Sequence, residues 1–286
     1  MRWQESRRSE NVEDQRGRRI ATGPAIGGGV AIVILLVGLL LGGDPATLLE
    51  TIGNTATQQT TQTTDPAQMS EADARAGDFV AAVLGETEDV WRQIFAQNGA
   101  TYQEPRLVLF SGSTQSACGY ASAAVGPFYC SADQRVYLDT EFFSDLERQF
   151  GASGDFAQAY VIAHEIGHHV QNLLGTMDKV DALRQRASQR EANDLSVRLE
   201  LQADFFAGVW AHYADRTKNI LEPGDIEEAM NAATAIGDDR IQKQTQGYVV
   251  PDAFTHGTSE QRTRWFRRGY ETGDIRQGDT FSVAEP

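Results

Sequence analysis

Tyr160-Val161-Ile162-Ala163-His164-Glu165-Ile166-Gly167-His168-His169-Val170-Gln171 reads as the middle of an amphipathic helix. The frame opens near Asp155, which follows Ser153-Gly154, and closes near Gly175, a residue suited to the turn after a helix end. Phe156, Tyr160, Ala163, Gly167, Val170 and Leu174 recur at three-to-four spacing and predict a buried stripe. Beside that stripe His164 and His168 stand one turn apart. Their imidazoles therefore leave one side of the helix at a separation that suits a single Zn²⁺, and Glu165 between them faces a metal-bound water. The chain has five histidines, and three of them (His164, His168 and His169) fall in this stretch, so an accidental H-E-x-x-H is rare in such a composition. Glycine inside a helix costs about 1 kcal/mol relative to alanine, which makes Gly167 a marker for close approach by a neighbouring backbone. The chemistry implied is zinc-dependent hydrolysis.

A catalytic zinc takes three protein ligands and keeps a position for water, so the third ligand sets the class. The pattern H-E-x-x-H-x-x-G-x-x-H is absent, because Gln171 and Leu174 occupy the positions of its glycine and last histidine. Further on, Leu195, Leu199, Phe206, Val209, Trp210 and Tyr213 give a second helical frame, in which Glu200 and Asp204 lie one turn apart on one face. Glu200 then completes the zinc site, and Asp204 accepts the outer N–H of a ligand histidine, fixing its tautomer. Asp178 or Asp181, just past the motif helix, is the competing ligand; a solvated acidic stripe is the competing role for Glu200 and Asp204.

Outward from these two helices, Ser70-Glu71-Ala72-Asp73 caps a helix whose core face carries Phe79, Val80, Val83, Leu84, Val90, Trp91, Ile94 and Phe95. Arg106–Phe110 and Arg135–Asp139 are the strand candidates, separated by a glycine-rich stretch. A small sheet beside the zinc helix would offer an edge to an extended peptide. Ser259-Glu260 starts a last helix through Trp265 and Phe266. Its arginines, Arg262, Arg264, Arg267 and Arg268, pair with the acidic excess, and one of them could serve the site.

From Ala21 to Gly43 no residue is charged, and the apolar heart Val30–Leu41 makes this run long enough to cross a bilayer core of about 30 Å. A cleaved signal peptide is the competing reading, but no small-residue cleavage site follows. Residues 1 to 20 hold six arginines against four acids, whereas the chain after Gly43 carries 19 basic against 36 acidic residues. The positive-inside rule thus expects 1–20 as a cytoplasmic tail, 21–43 as a single transmembrane helix, 44–69 as a polar flexible linker and 70–286 as a domain on the periplasmic or extracellular side of a bacterial cell membrane. Cys118 and Cys130, the only cysteines, fall on that side and are expected to form a disulfide. The acidic balance argues against nucleic acid as a partner.

The E-x-x-x-D arrangement after H-E-x-x-H resembles that of gluzincin metallopeptidases, and Glu200-Leu201-Gln202-Ala203-Asp204 is similar to the E-x-x-A-D segment of membrane peptidases related to CAAX prenyl proteases. A closer resemblance is to the bacterial putative neutral zinc metallopeptidase family. It is carried by Met1-Arg2-Trp3-Gln4 with Asn11-Val12-Glu13-Asp14, by Gly126-Pro127-Phe128-Tyr129-Cys130 with Val136-Tyr137-Leu138-Asp139, and by Tyr160 through Gln171. The resemblance implies a zinc peptidase acting on a peptide or protein substrate. The resemblance to gluzincins implies that a histidine or tyrosine outside the motif stabilises the oxyanion of the tetrahedral intermediate, for which His256 is the candidate; a cap-region histidine with no catalytic role is the competing reading. The expectation is therefore an α+β, predominantly helical, zincin-like domain with a small sheet, in which His164, His168 and Glu200 hold Zn²⁺, Asp204 supports a ligand, and Glu165 and His256 act on the substrate. The alternative is a zinc-stabilised binding module or scaffold without hydrolytic activity.

Overall fold

The structure, a computed structural model, describes residues 1–16, 70–122 and 126–286. Met1–Arg16 and Ser70–Pro286 form one compact unit. It is mostly helical with a small mixed sheet, in agreement with the patterning. Strand β1 (Val12–Asp14) pairs in parallel with β2 (Arg106–Phe110), β2 in parallel with β6 (Arg135–Asp139), and β5 (Phe128–Cys130) lies antiparallel to β6 at the sheet end. β3 (Ser113–Ser116) and β4 (Gly119–Ser122) form a separate antiparallel pair. Both strand candidates are strands with the expected bounds. The stretch between them holds three more, which its glycine and proline content hid. The Cys118–Cys130 disulfide joins the β3–β4 turn to the end of β5.

Helix α1 (Glu71–Gln97) begins at Ser70, whose hydroxyl caps Asp73 N–H while the Asp73 carboxylate returns to the Ser70 N–H. Two short helices, α2 (Glu141–Arg148) and α4 (Thr176–Arg184), flank the motif helix α3 (Asp155–Leu173) along the chain. Helix α5 (Gln189–Lys218) carries the second frame. After it come α6 (Asp225–Ala235), α7 (Asp238–Gln246) and α8 (Ser259–Thr272).

Helix α3 is buried from Phe156 to Gln171 apart from the half-buried Gln158, because it contacts α1, α5 and α6 as well as β5 and β6. Leu174 leaves the expected stripe: it follows the helix end, ahead of the left-handed turn at Gly175, and is 47% exposed. Gly167 does what its cost suggested. A Cβ there would sit 2.8 Å from the Ala203 carbonyl oxygen, so α3 and α5 touch backbone to backbone at the motif. The α5–α8 crossing is closer still, with Gly208 against the Phe266 carbonyl and Gly269 against the Phe205 carbonyl. These contacts carry the core on α5, where Trp210 stacks on Phe156 with ring centroids 5.7 Å apart.

The expected tail, 1–20, is not separate over its described part: Met1–Arg16 packs within the unit that contains the motif helix. The apolar run 21–43 and the linker 44–69 lie outside the described residues. Among the described residues, no helix is long and apolar enough to cross a membrane.

Candidate metal centre

Helix α3 supplies His164 and His168, and α5 supplies Glu200; the tight contact at Gly167 and Ala203 brings these faces together. One donor atom from each of the three lies within 4.8 Å of the others. His164 Nε2 is 3.1 Å from Glu200 Oε2, and His168 Nε2 is 3.4 Å from Glu200 Oε1. The opposite ring nitrogens are engaged elsewhere. His164 Nδ1 is 2.8 Å from Asp204 Oδ1, and His168 Nδ1 is 2.9 Å from Gln171 Oε1. An Nδ1–H donated to each of those oxygens leaves both Nε2 lone pairs for a cation. Two imidazoles and a carboxylate with that orientation fit Zn²⁺, and Glu165 and a solvent-connected cavity leave room for a fourth, non-protein ligand.

Each helper is itself held. Gln171 Nε2 donates to the Leu199 carbonyl at 2.6 Å, fixing the amide so that its oxygen faces His168. Asp204 is fully buried and accepts from Tyr160 Oη at 2.5 Å and from Arg262 through Nε at 2.8 Å and Nη2 at 3.0 Å. Burial alone would raise the Asp204 pKa, but the Arg262 guanidinium and His164 outweigh it and hold the carboxyl at about 2. Burial likewise works against a charged His164, yet Asp204 and Glu200 push its pKa up to about 10. The Glu200 carboxyl goes well below the usual range: burial opposes this, and the two histidines prevail. These opposite shifts favour an ion-paired set of imidazoles and carboxylates.

His256 sits on the wall of the same cavity, of about 860 Å³, that exposes His164, Glu165, His168 and Glu200. Its ring is half exposed, with Nδ1 3.2 Å from Asp238 Oδ1, and that carboxylate raises its pKa. Asp178 and Asp181 lie exposed on α4, outside the three-residue cluster. His169 has a different role, as a tie between β5 and α3. Its Nε2 is 2.6 Å from the Gln103 carbonyl oxygen, and its Nδ1 accepts from Tyr129 Oη at 3.0 Å.

Three functional neighbours are not visible in the sequence. Periodicity places Tyr160 only in the buried stripe, and Gln171 stands out only as the residue at the missing glycine position. Arg262 is one of four arginines, although Arg262, Trp265, Phe266 and Gly269 follow the spacing of the buried face of α8 while Arg264, Arg267 and Arg268 do not.

The same residues lie within a region shared with known proteins. Residues 1–281 match the model of the family described as "Putative neutral zinc metallopeptidase". The chain is 49% identical to the Uncharacterized protein YpfJ of Escherichia coli (strain K12), over 98% of this chain and 99% of that one. It is 47% identical to the Uncharacterized protein Rv2575 of Mycobacterium tuberculosis (strain ATCC 25618 / H37Rv), over 72% of this chain and 71% of the relative. No solved structure matches it. Over residues 1–281, with the two histidines, Glu165 and Glu200 inside the match, this chain belongs to the putative neutral zinc metallopeptidase family.

Proposed function

We propose that the protein is a membrane-anchored, zinc-dependent peptidase that hydrolyses peptide bonds in peptide or protein substrates. One observation carries the reading. His164 and His168 both spend Nδ1 on an acceptor and turn Nε2 toward Glu200, while Glu165 shares their cavity without belonging to the donor set. A structural zinc site is closed by four protein ligands and has no use for a spare carboxylate; a three-donor site beside one does.

His164, His168 and Glu200 would hold Zn²⁺, which when bound acidifies a water and polarises a carbonyl. Glu165 takes the proton of the attacking water and returns it to the leaving amine. His256, which lines the same cavity, donates to the oxygen that becomes negative. β5 ends the sheet beside the cavity, with Phe128 and Tyr129 on the cavity wall, and offers an edge for an extended substrate backbone. Asp204, Tyr160 and Arg262 orient His164 throughout.

The apolar run 21–43 supports attachment to a bacterial cell membrane, and the Cys118–Cys130 disulfide supports an oxidising, extracytoplasmic address for the domain. The net charge of −15 disfavours nucleic acid. Metal analysis of the full-length protein, followed by incubation with a peptide library with and without chelator, tests the proposal. Chelator-sensitive cleavage at about one zinc per chain is the expected result. Bound zinc with no cleavage would instead favour a binding module.

A further inference from the structure

The described N-terminal residues are part of the domain. Trp3 is buried against Phe79 of α1, with ring centroids 5.3 Å apart. Glu88 of α1 is fully buried, and its carboxylate is satisfied from this segment: Arg7 Nη2 at 2.6 Å, Asn11 Nδ2 at 2.8 Å and the Ser9 hydroxyl. Gly85 has no side chain because the Arg7 carbonyl lies where one would stand, 2.6 Å from a Cβ. Val12, Glu13 and Asp14 then pair in register with Leu107, Val108 and Leu109. Finally, Arg16 Nη1 donates to the Asp73 carbonyl at 2.7 Å. The described residues on either side of 17–69 are thus held together, Arg16 to Asp73.

That contact constrains the membrane. A single crossing by the apolar run 21–43 would put Arg16 and Asp73 on opposite faces of a hydrocarbon core about 30 Å thick. A second crossing to bring the chain back would have to come from residues 44–69, where Thr55–Pro66 is polar and no long apolar run occurs. An extended polar chain cannot make that crossing, since its backbone groups would be unsatisfied in lipid. The arginines that suggest a cytoplasmic tail have another use: Arg7 pairs with Glu88, Arg8 with Asp78 and Arg16 with Asp14. Three of the six arginines thus take part in ion pairs of the described fold, Arg7 with a carboxylate that is itself buried, so at these positions the arginine count has a structural cause besides topology.

We infer that residues 1–16 and 70–286 lie on the same side of the membrane, so that the apolar run 21–43 anchors the protein without separating its N-terminus from its catalytic domain. This holds whether or not the metal centre hydrolyses peptides.

The test uses full-length protein in spheroplasts. Glu10→Cys and Lys179→Cys, both at exposed positions, are each treated with a membrane-impermeant maleimide before and after permeabilisation. Equal accessibility is expected: both labelled in intact spheroplasts, or both only after lysis. Labelling of one in intact spheroplasts and the other only after lysis would overturn the inference. A second measurement does not depend on labelling. Arg7→Ala should lower the melting temperature of the membrane-extracted protein by several degrees, since it removes the nearer cation from the buried Glu88 carboxylate and leaves only Arg92, at 3.6 Å. An unchanged melting temperature would mean that the N-terminal segment is not docked on the domain, and would overturn the inference equally.

Discussion

Arg262 and Asp204 form a buried ion pair directly behind His164: the guanidinium is 2% exposed, the carboxylate fully buried, and both carboxylate oxygens are engaged at 2.8 and 3.0 Å. A buried pair adds little net stability over a well-packed apolar pair, but losing one member is expensive because the other charge is stranded. Arg262→Met should therefore destabilise the domain by about 3–5 kcal/mol. It should also weaken zinc binding, since the unpaired carboxylate no longer holds the His164 ring. Denaturant unfolding and competitive chelation measure the two effects. Restoration of zinc affinity to near the wild-type value in Arg262→Lys would show that charge alone suffices and that the two-point geometry does not matter.

Ligation and proton transfer are separable at this centre. Glu165→Gln leaves the donor set intact, so zinc content should stay near one equivalent while hydrolysis nearly vanishes. Glu200→Ala should lose both. Asp204→Ala should cost about 10- to 100-fold in affinity or activity, and Asp178→Ala little. Normal zinc content in Glu200→Ala, with collapse in Asp178→Ala, would move the third ligand onto α4.

Metal uptake should expel protons. His164 has its pKa raised to about 10 as Asp204 and Glu200 outweigh burial, so near neutral pH its imidazole carries a proton that zinc must displace; the pKa of His168 is raised too, by Glu200. Apparent zinc affinity should consequently rise with pH through the neutral range. Calorimetry in buffers of different ionisation enthalpy reads the released protons directly, and a value of zero contradicts the ion-paired metal-free cluster.

Gly167→Ala places a methyl group 2.8 Å from the Ala203 carbonyl oxygen, which belongs to backbone and cannot swing aside. Helices α3 and α5 must part slightly, at a cost of about 1–3 kcal/mol. Because the histidines ride on α3 and Glu200 on α5, zinc affinity should fall with stability. Full affinity in a destabilised Gly167→Ala would show that the centre tolerates the shift.

The disulfide joins the β3–β4 turn to the end of β5, and neither cysteine lines the cavity or belongs to the donor set. Closing a loop of this length is worth about 3 kcal/mol if unstrained. Cys118→Ser with Cys130→Ser should therefore lower the unfolding midpoint and leave zinc stoichiometry intact. Two reactive thiols in unfolded, unreduced wild-type protein would reject the bond.

What the sequence determined by itself was local. Helix periodicity, the Ser70 cap and the β-rich runs Arg106–Phe110 and Arg135–Asp139 are written in nearest-neighbour sterics and in the alternation of apolar residues, so these elements were legible with close bounds. The spacing of His164, Glu165 and His168 fixed a shared helix face for the same reason, and Glu200 and Asp204 shared another. Gly167 announced a close neighbour but could not name Ala203. Which faces meet depends on contacts between residues far apart in the chain, for which a single sequence holds no periodic signal. Tertiary structure therefore decided for Glu200 over Asp178 and Asp181 beside the histidines, picked Arg262 from four arginines as the partner of Asp204, and set Gln171 and Tyr160 behind the ligand rings. It also drew Met1–Arg16 onto α1 and β2. Charge counting could not foresee that, because an arginine paired with a carboxylate of the fold and an arginine left free look identical until the fold shows which carboxylates they reach.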